Sequence, residues 1–249
     1  ERGEKPNPKP TKPEQDPATD RNNPGGSFNA MIAPLGGLNI KGALFNQGYN
    51  NALGNARPAL YRKTFQSMIE NWRVNFRNEK MPFCVIGLTA GGQPQTNENF
   101  ELRTVDPAPY IREGQHKAIK SLEFAAFLPA YDQQVPWYHP HKKFELGERA
   151  ARWAINTILG HKRIGWKPVE LSSAEKSNNH FILTFENNVR VHDGRPFAGF
   201  SIASDNKHFI PALAEFVIKG YDKNKRPIYD EKRLKVWSDL VENPVAVRY

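Results

Sequence analysis

Four consecutive apolar residues, Phe83-Cys84-Val85-Ile86, lie inside the segment 82–89 and most constrain the fold of this chain. Successive side chains of a strand point to opposite faces, so a strand made only of apolar residues must be covered on both sides. Strands of this kind are typical of parallel sheets that carry helices on each face. The segment therefore predicts a central parallel strand in a layered α/β structure.

Strand and helix patterns alternate around this segment. Apolar runs at 38–46 and 124–128 predict neighbouring strands, and helices are predicted near 111–121 and from residue 143 onwards. Another helix is predicted by apolar residues that share one face: Tyr61, Phe65, Met68, Ile69, Trp72 and Phe76. The helix after residue 143 is expected to bury a face made of Phe144, Gly147, Ala151, Ala154, Ile155 and Ile158. This alternation places functional loops at the carboxyl ends of the strands.

The pattern changes after Gly160, where short apolar stretches alternate with turn residues. Strands are predicted at 181–185, 199–203 and 234–237. We therefore predict three regions: a Pro-rich linker or tail at 1–26, an α/β domain at 27–167, and a β-rich, sandwich-like region at 168–249.

Composition limits the classes of function. The formal net charge of +9 favours anionic partners. The basic residues are scattered, however, without a basic helix stripe or a basic motif interleaved with aromatic residues. No nucleic-acid interface is therefore predicted, and a solvated basic surface that could also attract anionic glycans is preferred. No run of 18 apolar residues is present to span a membrane.

The single cysteine limits covalent cross-linking, and the first residues indicate how the chain begins. Cys84 is the only cysteine, so internal disulfides are excluded, and its buried strand predicts a small apolar core residue rather than a nucleophile. The chain starts Glu1-Arg2-Gly3, with neither Met nor an apolar signal segment. We interpret this start as that of a processed or truncated product.

A histidine–proline pair, His139-Pro140, directly precedes the last predicted helix of the α/β part. Pro140 disfavours helical backbone for His139, so the imidazole is expected on a loop at the rim of the sheet, where hydrolases hold a general base. The simpler alternative for an isolated His-Pro pair is a surface loop in which the histidine has no catalytic role. His139 and His141 are also a weak indication of zinc, because no third ligand is nearby. No metal or other cofactor is predicted.

Five ordered stretches carry a family resemblance: residues 28–35 (FNAMIAPL), 40–52 (IKGALFNQGYNNA), 112–115 (REGQ), His139-Pro140 with 147–154 (GERAARWA), and 236–238 (VWS) with 244–249 (PVAVRY). They resemble segments of sialate O-acetylesterases, which belong to the SGNH (GDSL-like) hydrolases. The resemblance covers about residues 28–249. It implies a partial three-layer α/β/α SGNH hydrolase with a flavodoxin-like parallel sheet, followed by a β-rich C-terminal region.

The resemblance also implies site residues. His139 would be the general base. Gln47 and Gly48 would supply oxyanion donors, and Asn51 would be a further oxyanion or substrate contact of the same loop. Asp132, seven residues before His139, is the candidate acid that would orient the imidazole.

Two positions depart from the family pattern. The family has an aspartate two or three residues before the histidine, where this chain has Trp137 and Pro136, and it has a glutamate where this chain has Tyr49. The family's Gly-x-Ser nucleophile segment precedes every matched stretch. We therefore predict that the serine lies in a missing N-terminal segment, on the same gene or on a separate chain. Ser27 is the alternative nucleophile.

The predicted function is a carbohydrate (sialate-type) O-acetylesterase, which would remove acetyl groups from sugar hydroxyls through an acyl-serine intermediate. Its partners would be the acetylated glycan substrate and the N-terminal half of the same protein, and the resemblance implies a secreted or periplasmic location. The alternative is a non-catalytic glycan-binding or structural protein on a degenerate esterase fold, which Trp137 and Tyr49 motivate.

Overall fold

The computed structural model describes residues 25–52, 58–89, 108–133, 143–191, 194 and 196–249. A π-helical turn, Phe28–Ile32, and a 3-10 turn, Ala33–Leu35, precede the first strand. A second 3-10 turn, Tyr49–Ala52, follows it. The regular elements of the α/β part are β1 (Ala43–Phe45), α1 (Pro58–Asn75), β2 (Phe83–Ile86), α2 (Ala108–Lys120), β3 (Ala125–Leu128) and α3 (Phe144–Thr157).

The three strands form a parallel sheet in the order β1-β2-β3, which confirms the predicted parallel arrangement. Every residue of the middle strand β2 is buried. Phe83 and Val85 contact the core under α1 and α2, whereas Cys84 and Ile86 contact the core under α3. The described residues therefore form three layers, α/β/α, as predicted. Burial also raises the pKa of Cys84 to about 12, which fits a core residue rather than a nucleophile.

Helix α1 buries the face that its sequence predicts. Tyr61, Phe65, Ile69 and Phe76 are buried, and the other two predicted residues pack against the same cluster. Near its end, the buried Arg73 side chain joins the starts of two strands. Its Nε donates to the Met81 carbonyl at 3.2 Å, and its Nη2 donates to the Glu123 and Phe124 carbonyls at 2.7 and 3.2 Å.

The predicted buried face of α3 is wrong in its first two turns. Phe144 is 80% exposed, and Gly147 and Ala151 are exposed as well. The helix instead buries Leu146, Ala150 and Trp153, with Ala154 and Ile158 packed against the same cluster. Both residue sets repeat at helical spacing and share Ala154 and Ile158. The observed face is selected because it buries the larger Leu and Trp side chains, and so removes more apolar area from water.

The described residues of the C-terminal region form two antiparallel sheets. One sheet has the order β4-β5-β9-β8 and the other β10-β6-β7, and side chains from both share one core cluster. The strands are β4 (Leu171–Ser177), β5 (His180–Phe185), β6 (Ser201–Ala203), β7 (Phe209–Pro211), β8 (Leu213–Tyr221), β9 (Pro227–Trp237) and β10 (Ala246–Arg248). The β-rich character of this region is confirmed, while the exact boundaries of the three regions stay predictions.

The chain end returns to the α/β part. The Tyr249 ring meets the Tyr131 ring just after β3, at a centroid distance of 5.8 Å, and an ion pair joins Lys120 of α2 to Glu170. A search of the described helices for membrane spans finds none that is long and apolar enough.

Arg73 provides a test of this packing. Replacing it with Met keeps the apolar stem but leaves the Met81 and Glu123 carbonyls without their donor, whereas the Phe124 carbonyl keeps the Phe83 N–H at 2.9 Å. We expect Arg73→Met to lower the free energy of unfolding by about 2–4 kcal/mol, as measured by urea denaturation. The control Arg62→Met changes an exposed arginine of the same helix and should stay within about 0.5 kcal/mol of wild type. Equal effects of the two substitutions would contradict this role of Arg73.

Candidate functional site

The loops that follow β1, β2 and β3 meet at the carboxyl edge of the parallel sheet. Parallel strands end at one edge, so side chains that follow different strands become neighbours there. The Asn46 amide after β1 approaches the Ile86 carbonyl at the end of β2, with 3.5 Å between nitrogen and oxygen. This edge contains the described residues that the sequence predicts for the site.

Tyr49 ties the first two loops together. The Thr89 backbone N–H donates to the Tyr49 hydroxyl at 3.0 Å, and the same hydroxyl lies 2.9 Å from Thr89 Oγ1. The family resemblance places a carboxylate at this position, and here a tyrosine hydroxyl links two loops instead. Arg112 of α2 adds a longer contact, from its Nη1 to the Thr89 carbonyl at 3.4 Å.

The loop after β1 carries Gln47, Gly48 and Asn51 in one tight turn. Gly48 is buried and has a φ of +141°, a conformation that favours glycine. Its carbonyl accepts a hydrogen bond from the Asn51 backbone N–H at 3.0 Å. The Gln47 side chain is exposed and makes no hydrogen bond to a described residue, so within the described chain it does not cap the loop. The structure thus brings these three predicted residues together.

Gln115 of α2 holds this loop from the core side. In the sequence analysis it is named only within the stretch 112–115, and no role is predicted for it. Its side chain is 0% exposed. Its Nε2 donates to the Gln47 carbonyl at 2.9 Å and to the Tyr61 hydroxyl at 3.1 Å, while its Oε1 has no partner among the described residues. The signal that could have revealed it is a lone amide on the apolar face formed by Ile111, Ala118 and Ile119.

The same amide shapes the surroundings of Tyr61 and Asn51. Burial raises the pKa of Tyr61 even though the hydrogen bond from Gln115 acts in the opposite direction. Its hydroxyl therefore stays protonated at neutral pH. Asn51 lines a small open cleft with Leu60, Tyr61, Thr64 and Ile111, directly beside this network.

Asp132, the predicted orienting acid, forms a bidentate ion pair with Arg149 of α3. The Arg149 Nη1 and Nη2 atoms donate to the two carboxylate oxygens at 2.8 and 2.5 Å, and Nη1 also donates to the Pro129 carbonyl at 2.6 Å. The pair connects the end of β3 with the second turn of α3. Asp132 Oδ2 also accepts a longer hydrogen bond from the Gln133 side-chain amide, at 3.4 Å.

Arg149 also determines the ionisation of Asp132. Burial of the carboxyl opposes its ionisation, but the hydrogen bonds and the charge of Arg149 outweigh burial. The pKa of Asp132 consequently lies below its usual value, and the carboxylate is ionised at neutral pH. Tyr131, the preceding residue, packs edge-on against Tyr249 and lies under the Arg112 guanidinium, 5.7 Å from its carbon.

The remaining predicted residues are of two kinds, those outside the described chain and Ser27. His139, Pro136, Trp137 and His141 lie outside the described residues, so the role of His139 stays a prediction. Ser27 is exposed and precedes a π-helical turn whose Ile32 carbonyl accepts a hydrogen bond from Asn75, the last residue of α1. Gln47 and Gly48 lie near the opposite end of that helix, beside Tyr61. About 20 Å of helix separates Tyr61 from Asn75, which disfavours Ser27 as a partner of the Gln47 loop.

Metal-ligating side chains do not converge among the described residues, where no group of three or more His, Cys, Asp or Glu could hold an ion. The described residues of this edge offer hydrogen bonding and charge: backbone and amide donors beside β1, and an ionised carboxylate–guanidinium pair beside β3.

Comparison with solved structures gives a carbohydrate acetylesterase from Xanthomonas citri. The two chains are 28% identical, with a TM-score of 0.72 over 89% of this chain and 48% of the esterase. The chain has the fold of that esterase over the matched part. It spans about half of the esterase's length. No protein family and no curated protein gives a match.

This similarity confirms the predicted resemblance at the level of a carbohydrate esterase fold. The α/β class with a parallel sheet and a β-rich C-terminal region is likewise confirmed. The sialate-specific family, the SGNH group and the site residues stay predictions.

The Asp132–Arg149 pair gives a pH-dependent prediction. The pKa of Asp132 is depressed in the folded protein, so its stabilising effect is present above the unfolded-state pKa, about 3.9. The effect is lost as the pH falls through the lower folded-state value. We expect Asp132→Asn to reduce the free energy of unfolding at pH 7 by about 1 kcal/mol, a modest value because both side chains are partly exposed.

Denaturant unfolding between pH 7 and pH 3 measures this effect. The difference between wild type and Asp132→Asn should shrink below pH 4. Glu148→Gln is the matched control, because Glu148 forms an exposed pair with Arg152 on the same helix, and it should change stability by less than about 0.5 kcal/mol. A difference for Asp132→Asn that is constant across this pH range would contradict the assignment.

Proposed function

We propose that this chain is part of a carbohydrate O-acetylesterase, which hydrolyses acetyl esters on sugar hydroxyl groups. The observation that carries the proposal is the similarity to the Xanthomonas citri carbohydrate acetylesterase over 89% of this chain. The arrangement of polar groups at the carboxyl edge of the sheet supports it. That edge is where α/β enzymes bind their substrates.

The chemistry proposed for this edge is acyl transfer to a serine. The serine oxygen would attack the acetyl carbonyl carbon while a general base, His139, takes the serine proton. The carbonyl oxygen would then carry negative charge, and donors of the Gln47 loop would stabilise it. The same proton would pass to the sugar oxygen as the ester bond breaks, and water would release acetate from the serine in a second, equivalent step.

The narrower substrate class that we propose is a sialate-type acetylated sugar. Only the five sequence stretches that resemble sialate O-acetylesterases support it. The basic surface of the chain, with a formal net charge of +9, suits an acidic sugar because opposite charge raises the local concentration of a ligand.

The serine nucleophile is proposed to lie on a segment outside these 249 residues that pairs with the free edge of β1. Among the described residues, β1 pairs only with β2. Leu44 of β1 stands in register with the fully buried Cys84, yet it is 54% exposed because α3 covers only the neighbouring strands. An unpaired strand edge beside an exposed leucine suits an added strand of the same protein.

A non-catalytic glycan-binding protein is the second candidate. It is favoured by Tyr49, whose hydroxyl links two loops at a position where the related family has a carboxylate. This candidate predicts binding of acetylated glycan without acetate release.

The histidine assignment is tested with the full gene product and a chromogenic acetate ester. We expect His139→Ala to lower kcat by at least about 10³-fold, because the serine then has no base. His141→Ala and His116→Ala should retain activity. His116 lies on α2 against the Phe127 ring, where burial lowers its pKa. A wild-type rate in His139→Ala would reject the assignment, and binding of acetylated glycan without turnover in wild type would favour the second candidate.

The strand-edge proposal is tested by reconstitution. Residues 1–249 expressed alone should give no acetate release, and adding the upstream segment as a separate polypeptide should restore it. Leu44→Lys should prevent this restoration, because a charge would be buried against the added strand. Leu171→Lys is the matched control on another edge strand, since Leu171 is also 54% exposed.

A soluble, cooperatively folded monomer of residues 1–249 that hydrolyses acetate esters unaided would refute the strand-edge proposal. Ser27 would then return as the candidate nucleophile.

A further inference from the structure

The peptide unit between Gln47 and Gly48 is held in a single orientation. Its carbonyl oxygen accepts the 2.9 Å hydrogen bond from Gln115 Nε2, and the Gly48 carbonyl accepts the 3.0 Å bond from Asn51. A Cβ on Gly48 would lie 3.1 Å from both Gln115 Nε2 and the Tyr61 hydroxyl. The glycine therefore lets the backbone rest directly on the buried amide.

This contact also fixes where the next N–H points. A planar trans peptide directs its carbonyl and its N–H in opposite directions. Because Gln115 holds the Gln47 carbonyl on the buried side, the Gly48 N–H points away from that amide. This N–H has no acceptor among the residues that the structure describes.

We propose that Gln115 is a positioning residue that orients the Gly48 N–H as an oxyanion donor. The inference rests on the proposed esterase function. Gln115 does not contact the substrate; it acts through the Gln47–Gly48 peptide, which presents one fixed donor to the charge that develops on the acetyl oxygen. A donor that is already oriented needs no reorganisation when that charge appears.

The amide of Gln115 is suited to this role because one nitrogen makes two bonds. One N–H holds the Gln47 carbonyl, and the other donates to Tyr61, which packs on the same glycine. Met at this position has a similar volume but no donor. A Tyr61→Phe substitution removes only the second bond and leaves the Gln47 contact intact.

The experiment combines kinetics with structures of variants of the full gene product. We expect Gln115→Met to lower kcat on an acetate ester by about 10²-fold, with KM within about twofold, because a mispositioned donor weakens the transition state rather than substrate binding. Tyr61→Phe should lower kcat by less than about tenfold. Ile111→Val is the matched control, since it alters a fully buried residue of the same helix and the same core.

Crystal structures of wild type and Gln115→Met give a measurement that does not depend on activity. The Gln47–Gly48 peptide should rotate in Gln115→Met and stay in place in Ile111→Val. If wild type has no esterase activity but the peptide rotates, the proposed function fails while the positioning by Gln115 stands. An unrotated peptide in Gln115→Met overturns the proposal, and so does a loss of kcat that Ile111→Val reproduces at equal stability.

Discussion

The burial of β2 on both of its faces is the interaction on which the α/β part depends. Phe83 and Val85 lie against one pair of helices, while Cys84 and Ile86 lie against α3. Each large side chain buried in this way contributes about 1.5–3 kcal/mol, so the strand is stable only while both helical layers are in place. The strands are parallel because α1 connects β1 to β2 and α2 connects β2 to β3, and each helix crosses back over the sheet. All three strands therefore deliver their polar loops to one edge.

At that edge, buried side chains hold the loop backbone, and exposed side chains face the solvent. Gln115 and Tyr61 lie beneath the loop after β1 and hold its backbone, whereas the Gln47 side chain faces outward. On the other side, Arg149 holds Asp132 at the base of the loop after β3. Local geometry is thus fixed by residues of α1, α2 and α3, the helices that also close the two core clusters. Packing and site geometry cannot be changed independently in such a structure.

Sequence patterns predicted the element types better than their contacts. The buried run 83–86 indicated the parallel sheet, since strands that are apolar on both faces are typical of parallel sheets with helices on each side. The face of α3 was wrong because two residue sets with the same spacing compete, and only the area that each buries separates them. The role of Gln115 could not be predicted, because its hydrogen bonds join residues 68 and 54 positions away along the chain. His139 lies outside the described residues, so its predicted role has no structural outcome.

Tyr49 changes the electrostatics of the edge as well as its connections. A carboxylate at this position would add negative charge beside Thr89, whereas the Tyr49 hydroxyl accepts a hydrogen bond from the Thr89 N–H. Among the described residues, Arg112, Arg149 and Asp132 lie at this edge, and Arg149 and Asp132 form an ion pair. Arg112 lies over the Tyr131 ring and reaches the Thr89 carbonyl. The Arg112 guanidinium favours negative charge on a group bound close to it.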